Sequence, residues 1–226
     1  MTGANRGLGL EFVRQYAAEG VHVHAACRNP DKADALNALA ASSKGLVKVH
    51  AMNVADAASV TACAKALEGT ALDIIINNAG IYGPKQQSAG DMDYAGWAET
   101  HAVNTMGPLR VAVAFKEHLK RSSTRKMVAI TSQMGSIAQG GGRGFYAYRS
   151  SKTALNMVIN LLANDWRDEG ITTLAMHPGW VRTDMGGPQA PLSPEESVSG
   201  MRKVIAALTP AGSGTYLDYA GKPIAW

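Results

Sequence analysis

Short apolar runs that each end in polar or glycine-proline residues recur along this chain, and they constrain its fold more than any other feature. Leu72-Asp73-Ile74-Ile75-Ile76 leads into Asn77-Asn78-Ala79-Gly80. Met127-Val128-Ala129-Ile130-Thr131 delivers Ser132, and Ile171-Thr172-Thr173-Leu174-Ala175-Met176-His177 delivers Pro178-Gly179-Trp180-Val181-Arg182-Thr183. Continuous β-branched runs of this length read as strands buried on both faces, the habit of parallel sheets. Helical stretches with long apolar faces, among them 102–120 and 151–166, lie between them. Strand and helix alternate to the end, which predicts an α/β, doubly wound parallel sheet forming a single domain over residues 1–226. Ligands bind outside the carboxyl ends of such strands, so the three polar ends are expected to converge on one rim.

The opening, Met1-Thr2-Gly3-Ala4-Asn5-Arg6-Gly7-Leu8-Gly9, runs into an amphipathic helix beginning Glu11-Phe12-Val13-Arg14. Glycines at this spacing let the backbone turn tightly and approach a pyrophosphate, while the helix N-terminus offers unpaired N–H groups to the anion. A further strand, Val21-His22-Val23-His24-Ala25-Ala26-Cys27, ends where a dinucleotide site places its ribose-reading residue. An acid there suits a 2′-hydroxyl, but this chain reads Cys27-Arg28-Asn29. Arg28, together with Arg6 in the loop, suits a 2′-phosphate, since guanidinium matches phosphate in geometry and charge. NADP(H) is therefore expected over NAD(H), although either arginine alone also reads as a solvated surface charge.

Tyr148 and Lys152 stand four apart, so on a helix they project from one face with the ammonium a turn from the phenol. A nearby cation lowers the cost of ionising a tyrosine whose reference pKa is about 10. Carbonyl reduction needs such a group, because hydride arriving at carbon leaves an alkoxide that must be protonated. The pair alone also reads as an ordinary exposed helical couple; its company decides between the two.

Taken together, Thr2-Gly3-x-x-x-Gly7-x-Gly9, Asn77-Asn78-Ala79-Gly80, Asn104 in Val-Asn-Thr-Met-Gly-Pro, Ser132, Tyr148-x-x-x-Lys152 and Pro178-Gly179-x-Val181-x-Thr183 resemble the short-chain dehydrogenase/reductase family over nearly the whole chain. The stretch 130–137, the stretch from His177 to Ser199 and the ending 214–226 are similar to its C-factor-like and sniffer-like branch of carbonyl reductases. The resemblance implies a Rossmann fold and a small-molecule carbonyl or alcohol as substrate. It implies Tyr148 as proton donor, Ser132 as hydrogen-bond donor to the substrate carbonyl, and Asn104 as holder of a water linking Lys152 to solvent. Lys152 would bind the nicotinamide ribose and depress the Tyr148 pKa. Gly3, Asn5, Arg6, Gly7, Leu8, Gly9, Arg28, Asn78, Ala79 and Gly80 would line the cofactor, with Asn53 and Val54 at the adenine. Pro178, Gly179, Val181 and Thr183 would seat the carboxamide end of the nicotinamide. A homodimer or homotetramer is implied through the helices at 102–120 and 151–166. The branch also leaves open an alternative, a cofactor-binding signalling or regulatory protein with little turnover.

Three departures from the family pattern matter. Asn53 stands where aspartate is common. Gln139-Gly140-Gly141-Gly142-Arg143-Gly144 widens the separation between Ser132 and Tyr148, which makes Ser136 a second candidate for the serine role. Only Met1 precedes Thr2, where the family has a whole buried strand. The sheet is therefore expected to have a gap between the strands ending at Cys27 and Asn77, and the polypeptide to begin upstream of Met1.

Composition agrees with a compact enzyme: 46% hydrophobic residues over 226 positions, enough to bury roughly 70% of the unfolded surface. The formal charge of +4 comes from scattered lysines and arginines rather than a run, so no nucleic-acid partner is expected. Cys27 and Cys63 make no disulfide framework, and no histidine-cysteine cluster has metal-ligand spacing. No stretch reaches the roughly 20 apolar residues of a membrane span and no leader opens the chain, so a cytoplasmic location is expected. Met134, Tyr146, Trp180, Met185 and the loop at 186–191 lie near the inferred site and are mostly apolar, which favours an uncharged aldehyde or ketone. The stretch from Met185 to Ser199 reads as a mobile lid.

Overall fold

A computed structural model describes residues 1–140 and 142–226, so Gly141 of the glycine-rich insertion lies outside the described residues. The elements run α1 (Gly7–Ala18), β1 (Val23–Cys27), α2 (Asp34–Ser42), β2 (Val47–Ala51), α3 (Ala57–Ala66) and β3 (Ile74–Asn77). A small hairpin of β4 (Gln87–Ser88) and β5 (Asp91–Met92) precedes α4 (Tyr94–His101). Then come α5 (Gly107–Ala114), α6 (Lys116–Lys120), β6 (Lys126–Ile130), α7 (Tyr146–Asp165), β7 (Thr172–His177), α8 (Pro194–Ala207) and β8 (Thr215–Asp218). The helix expected over 102–120 is divided: a π-turn at Ala102–Met106 opens it, and Phe115, at φ −104°, separates α5 from α6.

All the pairings among β1, β2, β3, β6, β7 and β8 are parallel. β2 pairs with β1 on one side, and β3, β6, β7 and β8 follow in order on the other. Side chains alternate across the sheet with the period of two that strands impose. Met127 and Ala129 join α3, α5 and α7 in one apolar cluster, while Val128 and Ile130 face Phe12 of α1 and Met201 and Ile205 of α8 in another. Helices thus cover both faces, the doubly wound arrangement.

β1 and β3 do not pair with each other, and a cavity of about 560 Å³ separates them, lined by Val23, Ile74, Ile75, Cys63 and Phe115 among others. Met1 and Thr2 fill only its carboxyl end. Thr2 bridges Ala26 in parallel register and donates its N–H to the Ile76 carbonyl at 3.0 Å, and the Ala26 N–H donates to the Met1 carbonyl at 2.8 Å. The Met1 ammonium donates to the His24 carbonyl at 3.0 Å. Burial pulls that amine down to about 6 from its usual 8.0, because the charged form loses its water. The gap expected between the two strands is therefore present, stitched at one end.

Candidate active site

Strand order reverses at this gap, and the glycine loop sits above it. Thr2 is buried and its hydroxyl accepts the N–H groups of Asn78 and Ala79, both at 3.0 Å. The Asn78 amide donates to the Thr2 and Gly3 carbonyls, also at 3.0 Å, so the Asn-Asn-Ala-Gly turn staples the loop to the end of β3. Close approach explains the glycines: a Cβ on Gly3, whose φ is +63°, would lie 2.8 Å from the Ala79 Cα, and one on Gly9 would collide with the Gly3 carbonyl oxygen. α1 starts with no side-chain cap and no acid in its first turn, which leaves its N-terminal N–H groups and dipole unneutralised.

A cavity of about 350 Å³ opens at this rim. Gly3, Asn5, Arg6, Gly7 and Leu8 line one wall, with Asn78, Ala79 and Gly80 beneath them. Arg28 lies at one end with Asn29 and Lys32, a second cation that the sequence reading passed over. Asn53 and Val54 line the same cavity, joined by Met52 and Val103. Tyr148, Lys152, Pro178 and Thr183 close the other end. Gly9, Asn104, Ser132, Gly179 and Val181 are not among the residues that line it. Arg6 does not point freely into the cavity: its guanidinium pairs with Asp184 at 2.8 Å, with both side chains largely exposed. Asn53 Oδ1 accepts the Ala55 N–H at 3.2 Å, a local turn that an aspartate would make equally.

α7 begins at Tyr146, so Tyr148 and Lys152 do share a helical face, and both are buried. Burial pushes the Tyr148 phenol up to about 12, and its hydrogen bond with the Ser132 hydroxyl offsets only part of that. No lowering from the Lys152 charge adds to that balance. The Lys152 ammonium lies 5.8 Å from the Tyr148 ring centroid and donates to the Ile130 carbonyl at 2.9 Å, and burial brings Lys152 itself down to about 8.

Ser132 sits just past β6, and its Oγ accepts the Met134 N–H at 3.2 Å, which leaves its own O–H to donate. Ser136 is differently engaged: its Oγ donates to the Ala225 carbonyl at 2.6 Å and accepts the Gln139 N–H. Asn104 lies in the π-turn, where its amide is committed to Ile81 N–H and C=O at 2.9 and 2.8 Å and to the Ser151 hydroxyl at 3.0 Å. A Cβ on Gly80 would lie 3.3 Å from Asn104 Oδ1 and 3.6 Å from Lys152 Nζ, so the glycine lets these groups draw together.

The segment after β7 is held from several sides. The Ser197 hydroxyl donates to the Pro178 carbonyl at 2.6 Å, Val181 bridges Leu192, and Gly179 takes φ +81° where a Cβ would strike Leu192. The lid expected from Met185 to Ser199 ends early, because Ser193 and Glu196 form a capping box with Pro194 at the first turn of α8. Ser-x-x-Glu at 193–196 was the signal for it. Beside Tyr148, the Tyr82 ring, also missed from sequence, lies 4.8 Å from that of Tyr148 and 5.4 Å from that of Phe145. Trp180 and Met185 are exposed, and Met185 lines the cavity. Among the described residues no three histidine, cysteine or acidic side chains could hold a metal ion, and no helix is long and apolar enough to cross a membrane.

Residues 1–191 match the family model described as short chain dehydrogenase. The chain is 46% identical over 155 residues to the protein named C-signal of Myxococcus xanthus, an alignment covering 69% of this chain and 93% of that protein. It superposes with a TM-score of 0.93 on the carbonyl reductase Sniffer of D. melanogaster, at 31% identity over 100% of this chain and 97% of that one. An NADPH-bound carbonyl reductase from chicken fatty liver matches with a TM-score of 0.91 and 35% identity, again over 100% and 97% of the two chains.

Proposed function

We propose that this chain, which belongs to the short-chain dehydrogenase/reductase family in its C-factor-like and sniffer-like branch, is an NADP(H)-dependent carbonyl reductase that uses Tyr148 as its proton donor. The observation that carries this reading is a single cavity with Tyr148 and Lys152 at one end and Arg28 with Lys32 at the other. The residues present fit a dinucleotide phosphate: the cradle at Gly3 and Gly9 has no room for a Cβ, the uncapped start of α1 attracts anions, and the one acid in the cavity lining, Asp184, is paired with Arg6. NADP(H), when bound, supplies the hydride that reaches the carbonyl carbon.

Ser132 receives the substrate carbonyl oxygen. Its Oγ accepts the Met134 N–H and its hydroxyl is hydrogen-bonded with Tyr148, so a carbonyl oxygen arriving between the two can take the serine proton as charge grows on it. Tyr148, held near 12, stays protonated at neutral pH and gives its proton to an alkoxide, which is a stronger base still. Lys152, at about 8, is mostly charged at neutral pH; it has protons beyond the one on Ile130 with which to hold a ribose hydroxyl and resupply Tyr148. Asn104 fixes the Ile81 backbone beside it. Tyr82 and Phe145 support an apolar aldehyde or ketone as substrate. Exposed Tyr94, Leu109 and Val113 on α4 and α5 and Met157 and Leu161 on α7 support a homodimer or homotetramer.

Tyr148→Phe tests the reading. Reduction of a carbonyl substrate is expected to fall by about 10²–10⁴-fold, the range for loss of a general acid, while the NADPH dissociation constant stays within about threefold. Turnover that survives this substitution would refute Tyr148 as donor. The resemblance to C-signal favours a second reading, a cofactor-binding signalling protein. In that case the Tyr148→Phe protein would keep its biological activity.

A further inference from the structure

Tyr216 belongs to β8, far along the chain from Ser132, yet its hydroxyl reaches the strand end that presents the serine. The side chain is 2% exposed, and its Oη donates to the Ser132 carbonyl oxygen at 2.5 Å. The same carbonyl accepts the Gly135 N–H at 2.8 Å, so its direction is fixed from two sides. Asn156, one turn beyond Lys152 on α7, grips the flanking residues. Its Oδ1 accepts the Thr131 hydroxyl at 2.7 Å and its Nδ2 donates to the Gly135 carbonyl at 3.3 Å. The chain's last residues lie against the same turn: the Trp226 ring is 5.2 Å from that of Tyr216, and the Ala138 N–H donates to the Trp226 carbonyl at 2.9 Å.

These bonds bear on one torsion. The direction of the Ser132 carbonyl sets the peptide plane that follows it, and that plane starts the short turn whose Met134 N–H meets Ser132 Oγ. We propose that Tyr216 is a positioning residue for Ser132, holding its carbonyl so that the serine hydroxyl stays aimed at the reacting oxygen. Preorganised donors work because their orientation is fixed before charge develops. Burial keeps the Tyr216 phenol un-ionised and therefore a donor throughout the working pH range. A phenylalanine would fill the same space without supplying the bond. The role rests on the reductase reading.

A double-mutant cycle tests it, with Tyr216→Phe made in wild type and in Ser132→Ala. Alone, Tyr216→Phe is expected to lower kcat about tenfold while leaving KM and the NADPH dissociation constant within twofold. In the Ser132→Ala background it should change kcat by less than twofold, because the hydroxyl it positions is gone. The same tenfold loss in both backgrounds, or a loss confined to KM or cofactor affinity, overturns the role. The Ser132 carbonyl ¹³C resonance of cofactor-free protein should move upfield in Tyr216→Phe, and an unmoved resonance also overturns it. Absence of wild-type turnover in the same assay would overturn the reductase reading and this role together, whereas an active wild type with additive losses overturns this role alone.

Discussion

Adding four valine- and isoleucine-rich residues ahead of Met1 is expected to stabilise the fold strongly, because the space between β1 and β3 has the shape and chemistry of a strand. The cavity is about 560 Å³, its walls carry Val23, Ile74 and Ile75, and Met1 and Thr2 already set a parallel register at its carboxyl end. Each buried valine or isoleucine contributes about 1.5–3 kcal/mol. Each added backbone hydrogen bond contributes about 1 kcal/mol, and ordering each residue costs about 2 kcal/mol. The net over four residues is about 5 kcal/mol, or roughly 10–20 °C in Tm for a chain of this size. Moving the ammonium out of the site adds a pH signature. The folded amine sits near 6 and the unfolded one near 8.0, so between those values the unfolded state holds more protons and stability of the unextended chain rises with pH, by about 3 kcal/mol in all. Below 6 the penalty is fully present, and above 8 it is gone. Urea unfolding of unextended, apolar-extended and Gly-Ser-extended chains at pH 6 and 8 separates the terms. The Gly-Ser chain should lose only the pH slope, and the apolar chain should lose the slope and gain the full increment. Equal stabilisation by both extensions, or none by the apolar one, would refute strand filling.

Two further outcomes follow from the site. Reduction is expected to slow as pH rises through about 8, where Lys152 loses the proton with which it resupplies Tyr148, and a Lys152→Met protein should lack that limb; a kcat profile flat from pH 7 to 9.5 would contradict the relay. Arg28→Asp is expected to weaken NADPH at least about tenfold and NADH less than about threefold, since a charge-assisted contact to phosphate carries about 1.5–3 kcal/mol, and fluorescence titration showing equal losses would mean that Arg28 does not read the phosphate.

Much of this architecture is legible in the chain because strand ends carry their own punctuation. The runs ending at Asn77, Ser132 and His177 bring their polar residues to one rim, and the helical period alone places Tyr148 and Lys152 on one face. Burial depth was not legible: spacing reveals that the ammonium neighbours the phenol, but not that both are enclosed, nor that Lys152 donates to the Ile130 carbonyl. Asn104 lies in a π-turn whose residues would fit an ordinary helix equally well. Arg6 meets Asp184 across 178 positions, and Tyr216 meets Ser132 across 84; no local pattern encodes such pairs. The early end of the lid was written in Ser193 and Glu196 and was passed over because the prolines and glycines before them read as loop.

The central claim is tested most directly by incubating the 226-residue chain with NADPH and a panel of apolar aldehydes and ketones, measuring NADPH consumed and alcohol formed together. The account predicts one alcohol per NADPH for at least one member of the panel, with far slower turnover when NADH replaces NADPH. Saturable NADPH binding with no alcohol from any member would contradict the reductase and leave the cofactor-binding signalling reading in its place.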